Sequence, residues 1–221
     1  MKVLIFGTSG MVGQGVLREC LADPAVTQIQ TVGRTPLGQQ HTKLRELVVP
    51  NMADYRAVNA ELTGFSACFF CLGATSSGLT EAQYSHIIYD LTLAAAKVLV
   101  RCNPQMVFVY VSGAGTDSTE QGRSMWARVK GRTENALLRL PFKAVYLFRL
   151  GVIQPLDGVQ SKTGSYRIFY SLSKPLLPLL RALLPNQILT TRQIGQAMLR
   201  CAHTGAPKAV LETADIRALA S

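Results

Sequence analysis

Lys2-Val-Leu-Ile-Phe6 runs directly into Gly7-Thr8-Ser9-Gly10-Met11-Val12-Gly13, and the reading of this junction decides the fold. The apolar run has the length of a buried strand. The segment Met11–Ala22 that follows spaces its apolar residues as a helix does and stops at Asp23-Pro24. Between the two, glycines allow backbone to come close to a pyrophosphate. The start of the helix then offers free N–H groups and the positive end of its dipole to the negative charge. The junction therefore predicts a bound dinucleotide, with Gly7, Thr8, Ser9, Gly10, Met11, Val12 and Gly13 around the phosphates. The alternative is a tight turn with a purely structural role.

Working outward, the second strand, Thr27–Arg34, ends about 20 residues after the last glycine, where this motif places its ribose reader. An Asp or Glu there would accept from the ribose 2′-hydroxyl. The strand instead ends in Gly33-Arg34-Thr35. A guanidinium is a planar cationic fork suited to a 2′-phosphate, so the expected cofactor is NADP(H). Thr35 and Lys43 are weaker candidates to assist Arg34.

The rest of the chain alternates apolar strands with helical segments. A third strand is expected at Glu46–Val49, ending near Asp54. A fourth follows at Phe65–Leu72, and a long helix from Thr80 to Arg101 with Thr80 as N-cap. Met106–Ser112, a helix from Arg123 to Leu140 and a strand at Lys143–Arg149 complete the series. Such alternation predicts a parallel sheet covered on both faces, a doubly wound Rossmann-type α/β fold. Ligands of that fold bind at the carboxyl ends of the strands. That rule selects Gly73 and Ala74 after the fourth strand as cofactor-binding residues, and Ser112 at the end of the fifth. Lys130 lies one helical turn after Trp126, on the same face. From spacing alone it is either a site lysine or one more solvated charge among Arg123, Arg128, Arg132 and Arg139.

With 221 residues, 48% of them hydrophobic, the chain can bury a sizeable core. We expect residues 1–155 to form the NADP(H)-binding Rossmann domain, and 156–221 to form a C-terminal helical region packed on the same domain. No apolar run reaches about 18 residues, so no integral membrane segment is expected. The N-terminus lacks the pattern of a signal peptide. The five cysteines fall mostly in apolar segments, which fits a reducing cytoplasm. Cys68-Phe-Phe-Cys71 sits in a strand, where residues three apart point to opposite faces, so it reads as core. His41, His86 and His203 match no metal-ligand spacing. The net charge is +10, and Lys162, Arg167, Lys174, Arg181, Arg192, Arg200 and Lys208 stand in a stretch without Asp or Glu. They are scattered singly among apolar residues, unlike the clustered stripe of a nucleic-acid site. The expected partner is a small-molecule substrate, with a homodimer possible and nucleic acid excluded.

Gly7-x-x-Gly10-x-x-Gly13, Gly73-Ala74, Ser112 and Lys130 together resemble the atypical short-chain dehydrogenase/reductases, in the NAD(P)H-binding, Tat-interacting-protein-like group related to epimerase-type members. The resemblance runs from Met1 to about Pro155. It implies that Lys130 binds the nicotinamide ribose and that Ser112 orients a substrate carbonyl. It also implies that Ile153, Gln154 and Pro155 flank the nicotinamide. One departure stands out: the family's Tyr-x-x-x-Lys motif is here Trp126-Ala-Arg-Val-Lys130. An indole N–H donates a hydrogen bond but is no acid or base near neutral pH. A proton would have to come from Ser112, Ser124, water or another tyrosine, such as Tyr84, Tyr166 or Tyr170. Trp126 itself reads as a pocket wall.

The segment Ser173–Pro185 is helical in pattern and apolar nearly all round, as a substrate lid, a dimer or membrane-surface contact, or plain core would be. A helix over 191–201 and a short strand at 210–213 follow. Two functions fit: an NADPH-dependent reductase or epimerase-like enzyme acting on a small carbonyl or sugar-like molecule, or a non-catalytic NADP(H)-sensing or partner-binding protein.

Overall fold

The computed structural model describes residues 1–156 and 188–220. Among them a seven-stranded sheet forms the centre of the molecule. Its strands are β1 (Lys2–Phe6), β2 (Gln28–Gly33), β3 (Leu44–Val48), β4 (Ala67–Phe70), β5 (Val107–Gly113), β6 (Ala144–Leu150) and β9 (Val210–Glu212). The order across the sheet is β3-β2-β1-β4-β5-β6-β9, with every neighbouring pair parallel. The order reverses between β1 and β4, which opens a crevice at the carboxyl ends of these two strands. This is the doubly wound, Rossmann-type fold that the alternating pattern predicts.

The helices are α1 (Met11–Ala22), α2 (Glu81–Ser85), α3 (Leu91–Cys102), α4 (Met125–Leu138), α5 (Thr191–Thr204) and α6 (Thr213–Leu219). One π-helical turn, His86–Asp90, joins α2 to α3, so the long helix expected from Thr80 onward carries a local widening. Thr80 caps it as predicted, accepting from the Gln83 N–H while the Gln83 side chain accepts from the Thr80 N–H. A separate pair of parallel strands, β7 (Val152–Gln154) and β8 (Ile188–Thr190), lies outside the main sheet. The apolar Ser173–Pro185 stretch, Tyr166 and Tyr170 lie outside the described residues.

Alternation along the strands divides the core in two. Val3, Ile5, Ile29, Phe69, Val109 and Phe148 pack with α1, α5 and α6 on one face. Leu4, Phe6, Val32, Phe70, Phe108 and Leu147 pack with α3 and α4 on the other. On this second face Phe6, Phe70 and Phe108 stack in sequence across three strands, with centroids 4.9 and 5.8 Å apart. Each buried ring of this size contributes about 1.5–3 kcal/mol by leaving water. Cys68 belongs to this face and Cys71 to the opposite one, as the strand periodicity requires.

Helix α1 is held by a close crossing with α5. A Cβ on Gly15 would lie 2.6 Å from Thr191 Cβ, and one on Gly195 would lie 2.6 Å from Glu19 Cγ. Two glycines thus bring the helices nearly into backbone contact, and the start of α1 is aimed at the sheet's carboxyl edge.

Candidate functional site

The β1–α1 turn is shaped by contacts that only glycine permits. Gly7 adopts a left-handed φ of 77°, and a Cβ there would meet the Cys71 and Leu72 backbone at 2.6 Å. A Cβ on Gly13 would lie 2.3 Å from the Gly7 carbonyl oxygen, so the first turn of α1 rests directly on the turn before it. The Gly10 N–H closes the turn onto the Gly7 carbonyl at 2.9 Å, and the Gln14 side chain donates to the Ser9 carbonyl at 3.2 Å. Gly10 is the N-cap of α1. No side chain caps this end and no acidic residue lies in the first turn, so the N–H groups and helix dipole face the crevice uncompensated. Such a terminus suits an anion.

Gly73 and Ala74 follow β4 across the crevice and are exposed. A Cβ on Gly73 would have nothing within 4 Å, so protein packing does not require glycine there. Arg34 emerges beyond the end of β2 into solvent and has no hydrogen bond or ion pair among the described residues. Thr35 is exposed beside it. Lys43, expected as an assistant to Arg34, sits elsewhere. Its ammonium donates to the Leu21 carbonyl at 3.1 Å and the Asp23 carbonyl at 2.7 Å. It neutralises the C-terminal end of α1, at the amino edge of the sheet, because Lys43 precedes β3 rather than following a strand.

Ser112 ends β5 and is buried. Its hydroxyl lies 3.0 Å from that of Thr116, and the Thr116 hydroxyl donates to the Gly113 carbonyl at 2.7 Å. Thr116 has one proton, so Ser112 donates to Thr116 and keeps only acceptor capacity on its free side. The loop beyond is held by Asp117, whose carboxylate accepts from the Thr119 N–H and hydroxyl and from the Gly122 N–H. The α4 helix lies hard against this loop: a Cβ on Gly131 would sit 1.7 Å from the Asp117 carbonyl oxygen. Sequence reading did not single out Gly131, since nothing local signals a loop fourteen residues upstream.

On α4 the Trp126 ring covers the loop after β5, about 3.7 Å from where a Gly113 Cβ would stand and 3.6 Å from that of Gly115. One turn on, the Lys130 ammonium lies 5.5 Å from the centre of the Tyr110 ring. Loss of hydration pushes the Lys130 pKa down to about 8, opposed by the nearby Glu134 carboxylate. Lys130 is half-buried, unlike the exposed Arg132 of the same helix. Glu134 is 1% exposed and is paired at 2.5 Å with Arg149 on β6, which also donates to Ser118 and Glu212. The Tyr110 hydroxyl is buried with no hydrogen-bond partner among the described residues. Tyr84, a possible alternative proton source, is buried with Ile88 and Val129 beside Met125 and Trp126. Burial pushes its pKa up to about 12, away from what a neutral-pH acid needs.

No family model matches the chain. It is 32% identical to the fmp52 protein of Emericella nidulans over 159 residues, which cover 69% of this chain and 66% of that protein. The match to the fmp52-1 protein of Aspergillus oryzae is 30% over 155 residues, 67% of this chain and 64% of the relative. The aligned part thus spans just under two thirds of these relatives. The HTATIP2 protein of Rattus norvegicus is 24% identical over 201 residues, 85% of this chain and 81% of that protein.

Among solved structures, the Bordetella bronchiseptica enzyme WbmF in complex with NAD+ superposes with a TM-score of 0.70 at 16% identity, covering 99% of this chain and 76% of WbmF. MoeE5 with UDP-glucose and NAD gives 0.69 at 17%, over 96% and 75%. The Thermotoga maritima UDP-glucose 4-epimerase gives 0.68 at 13%, over 96% and 76%.

The fmp52 relatives are named as mitochondrial, which overturns the expected cytoplasmic location and points to mitochondria. Reduced cysteines in apolar segments fit any reducing compartment, so they carried no information on which one. No helix among the described residues is long and apolar enough to cross a membrane. In fold the chain is Rossmann-type, similar to these NAD-bound enzymes and to the epimerase, and its distant HTATIP2 relative is of the Tat-interacting-protein-like group that its motifs resemble.

Proposed function

We propose that this chain is an NADP(H)-binding, oxidoreductase-like protein acting on a small carbonyl or sugar-like molecule, with Trp126 standing where related enzymes carry their catalytic tyrosine. The observation that carries the reading is the α1 N-terminus, uncapped, free of acidic side chains and closed by Gly7, Gly10 and Gly13 at the carboxyl edge of the sheet. Gly10 and Gly13 let the turn fold tightly under the helix start, Gly73 leaves backbone bare where a dinucleotide would lie, and the residues present fit that group. Gly7, Thr8, Ser9, Gly10, Met11, Val12 and Gly13 would hold its pyrophosphate, Gly73 and Ala74 its middle, and Lys130 the nicotinamide ribose. Arg34 would take the 2′-phosphate and so favour NADP(H) over NAD(H). When bound, the cofactor supplies or accepts a hydride. Residues 1–155 would carry most of this half, whose sheet and cover are completed by β9, α5 and α6 from the C-terminal region.

The chain's own contribution is orientation. Lys130, partly desolvated, offers a cation close to neutrality at the site. Ser112 presents a hydroxyl oxygen that accepts from a substrate donor until its proton is turned from Thr116. Trp126 walls the loop and has no proton to exchange near neutral pH. Structural relatives solved with UDP-sugars support a sugar-like substrate.

A second reading, a non-catalytic NADP(H)-sensing protein, is favoured by the same Trp126 and by the engaged Ser112 proton. Following NADPH loss over carbonyl compounds and UDP-sugars separates the two. Substrate-dependent consumption that falls in Lys130→Ala supports the enzyme. No consumption by a protein that still binds NADPH supports the sensor.

A further inference from the structure

We infer that Glu46, a residue outside the glycine turn, is the positioning residue that sets dinucleotide selectivity; the inference rests on the NADP(H) reading above. The link from β2 to β3 joins two parallel strands through residues 34–43, ten residues with no helix among them. Parallel crossovers normally take a dozen residues or more and a helix to cover them. Without one, the shape of this connection depends on the few side chains that grip it.

Glu46 on β3 is the grip nearest to Arg34. One carboxylate oxygen accepts from the Leu37 N–H at 2.8 Å and the other from the Gln39 N–H at 3.2 Å. Below it, the Gly33 carbonyl accepts from the Val49 N–H at 2.8 Å. Arg34, Thr35 and Pro36 are thus the three residues strung between two anchors, and all three are exposed. At the far end Lys43 is tied to the carbonyls of Leu21 and Asp23, so it cannot stand in for Arg34.

Glu46 also removes an obstacle. Its register partner on β2 is Thr31, two residues before Gly33, so its carboxylate lies close to the edge that a ribose would occupy. A free carboxylate at such an edge accepts from a ribose diol and repels a 2′-phosphate. Here each oxygen accepts a backbone N–H of the loop, which holds the half-buried carboxylate turned toward Leu37 and Gln39. Glu46 fixes where the Arg34–Pro36 span ends and engages the acid that would otherwise face a ribose.

The test is a fluorescence titration with NADPH and with NADH on wild type, Glu46→Gln, Glu46→Asp and Arg34→Ala, alongside thermal melting. An amide at position 46 sets an N–H₂ against one of the two backbone donors. Glu46→Gln is expected to lower the NADPH-over-NADH preference by about tenfold, through weaker NADPH binding with NADH nearly unchanged. A merely structural role would weaken both nucleotides together. If Glu46→Gln does not fold, Glu46→Asp, whose shorter chain withdraws the carboxylate, is expected to show the same loss of preference. Either folded variant keeping the wild-type preference while Arg34→Ala loses it overturns the role of Glu46 and leaves the cofactor reading standing. Wild type binding neither nucleotide overturns both.

Discussion

Gly73→Ala isolates the ligand from the fold. Gly73 lies outside the left-handed region of backbone conformation, and a Cβ there would have no heavy atom within 4 Å. The folded chain therefore accommodates the methyl group, and the restricted unfolded chain makes the variant as stable as wild type or more so, by about 0.4–1 kcal/mol. If a dinucleotide runs over this loop after β4, the same methyl occupies its space. Overfilling a packed contact costs about 1–3 kcal/mol, which is roughly a five- to 150-fold weaker Kd. Calorimetric titration with NADPH and a thermal melt on the same sample read the two effects separately. A lower affinity at unchanged or raised melting temperature supports the placement. Unchanged affinity in a protein that melts like wild type refutes it, and the cofactor would have to cross the crevice elsewhere.

Three further perturbations probe the neighbourhood. Gly131→Ala drives a methyl into the Asp117 carbonyl at 1.7 Å, backbone against backbone. It should lower stability by about 1–3 kcal/mol or more in a urea melt, and wild-type stability would contradict the described α4–loop contact. Trp126→Tyr restores a phenol one turn before Lys130. On any substrate found for the protein it should raise turnover by about a hundredfold or more, and an unchanged rate would argue for the sensor. The third concerns pH. Lys130 has its pKa lowered to about 8 from an ordinary 10.5, so the unfolded chain holds the proton that the folded chain gives up between these values. Folding is thereby penalised below pH 8, and this penalty lifts as pH rises from about 8 to 10.5. Lys130→Met should be more stable than wild type at pH 7, with the gap narrowing by pH 10. A constant gap would place the ammonium in water.

Legibility in the sequence followed the range of the interactions. The β1–α1 junction declares itself because strand, turn and helix are contiguous, and Gly7, Gly10 and Gly13 serve one another over seven residues. The continuous apolar runs of β1, β4 and β5 mark a sheet buried on both faces, with the strand ends shifted by only one or two residues. Lys43 was misread because its acceptors, Leu21 and Asp23, lie about twenty residues upstream across a strand. Nothing in the spacing of α4 told Lys130, half-buried near Tyr110 and Glu134, from exposed Arg132, since burial there depends on β5 and β6. The hold of Glu46 on Leu37 and Gln39 was equally silent, because it arises only when β3 pairs with β2. The mitochondrial names of the relatives had no counterpart in composition.

The claim at the centre of this account is that the crevice binds NADP(H) and reads its 2′-phosphate with Arg34. A fluorescence titration of wild type and Arg34→Ala with NADPH and NADH tests it most directly. The account predicts micromolar NADPH binding by wild type, weaker NADH binding, and an Arg34→Ala variant that holds the two nucleotides about equally. Equal affinity of wild type for both would contradict the role of Arg34, and binding of neither would leave the glycine turn a structural feature alone.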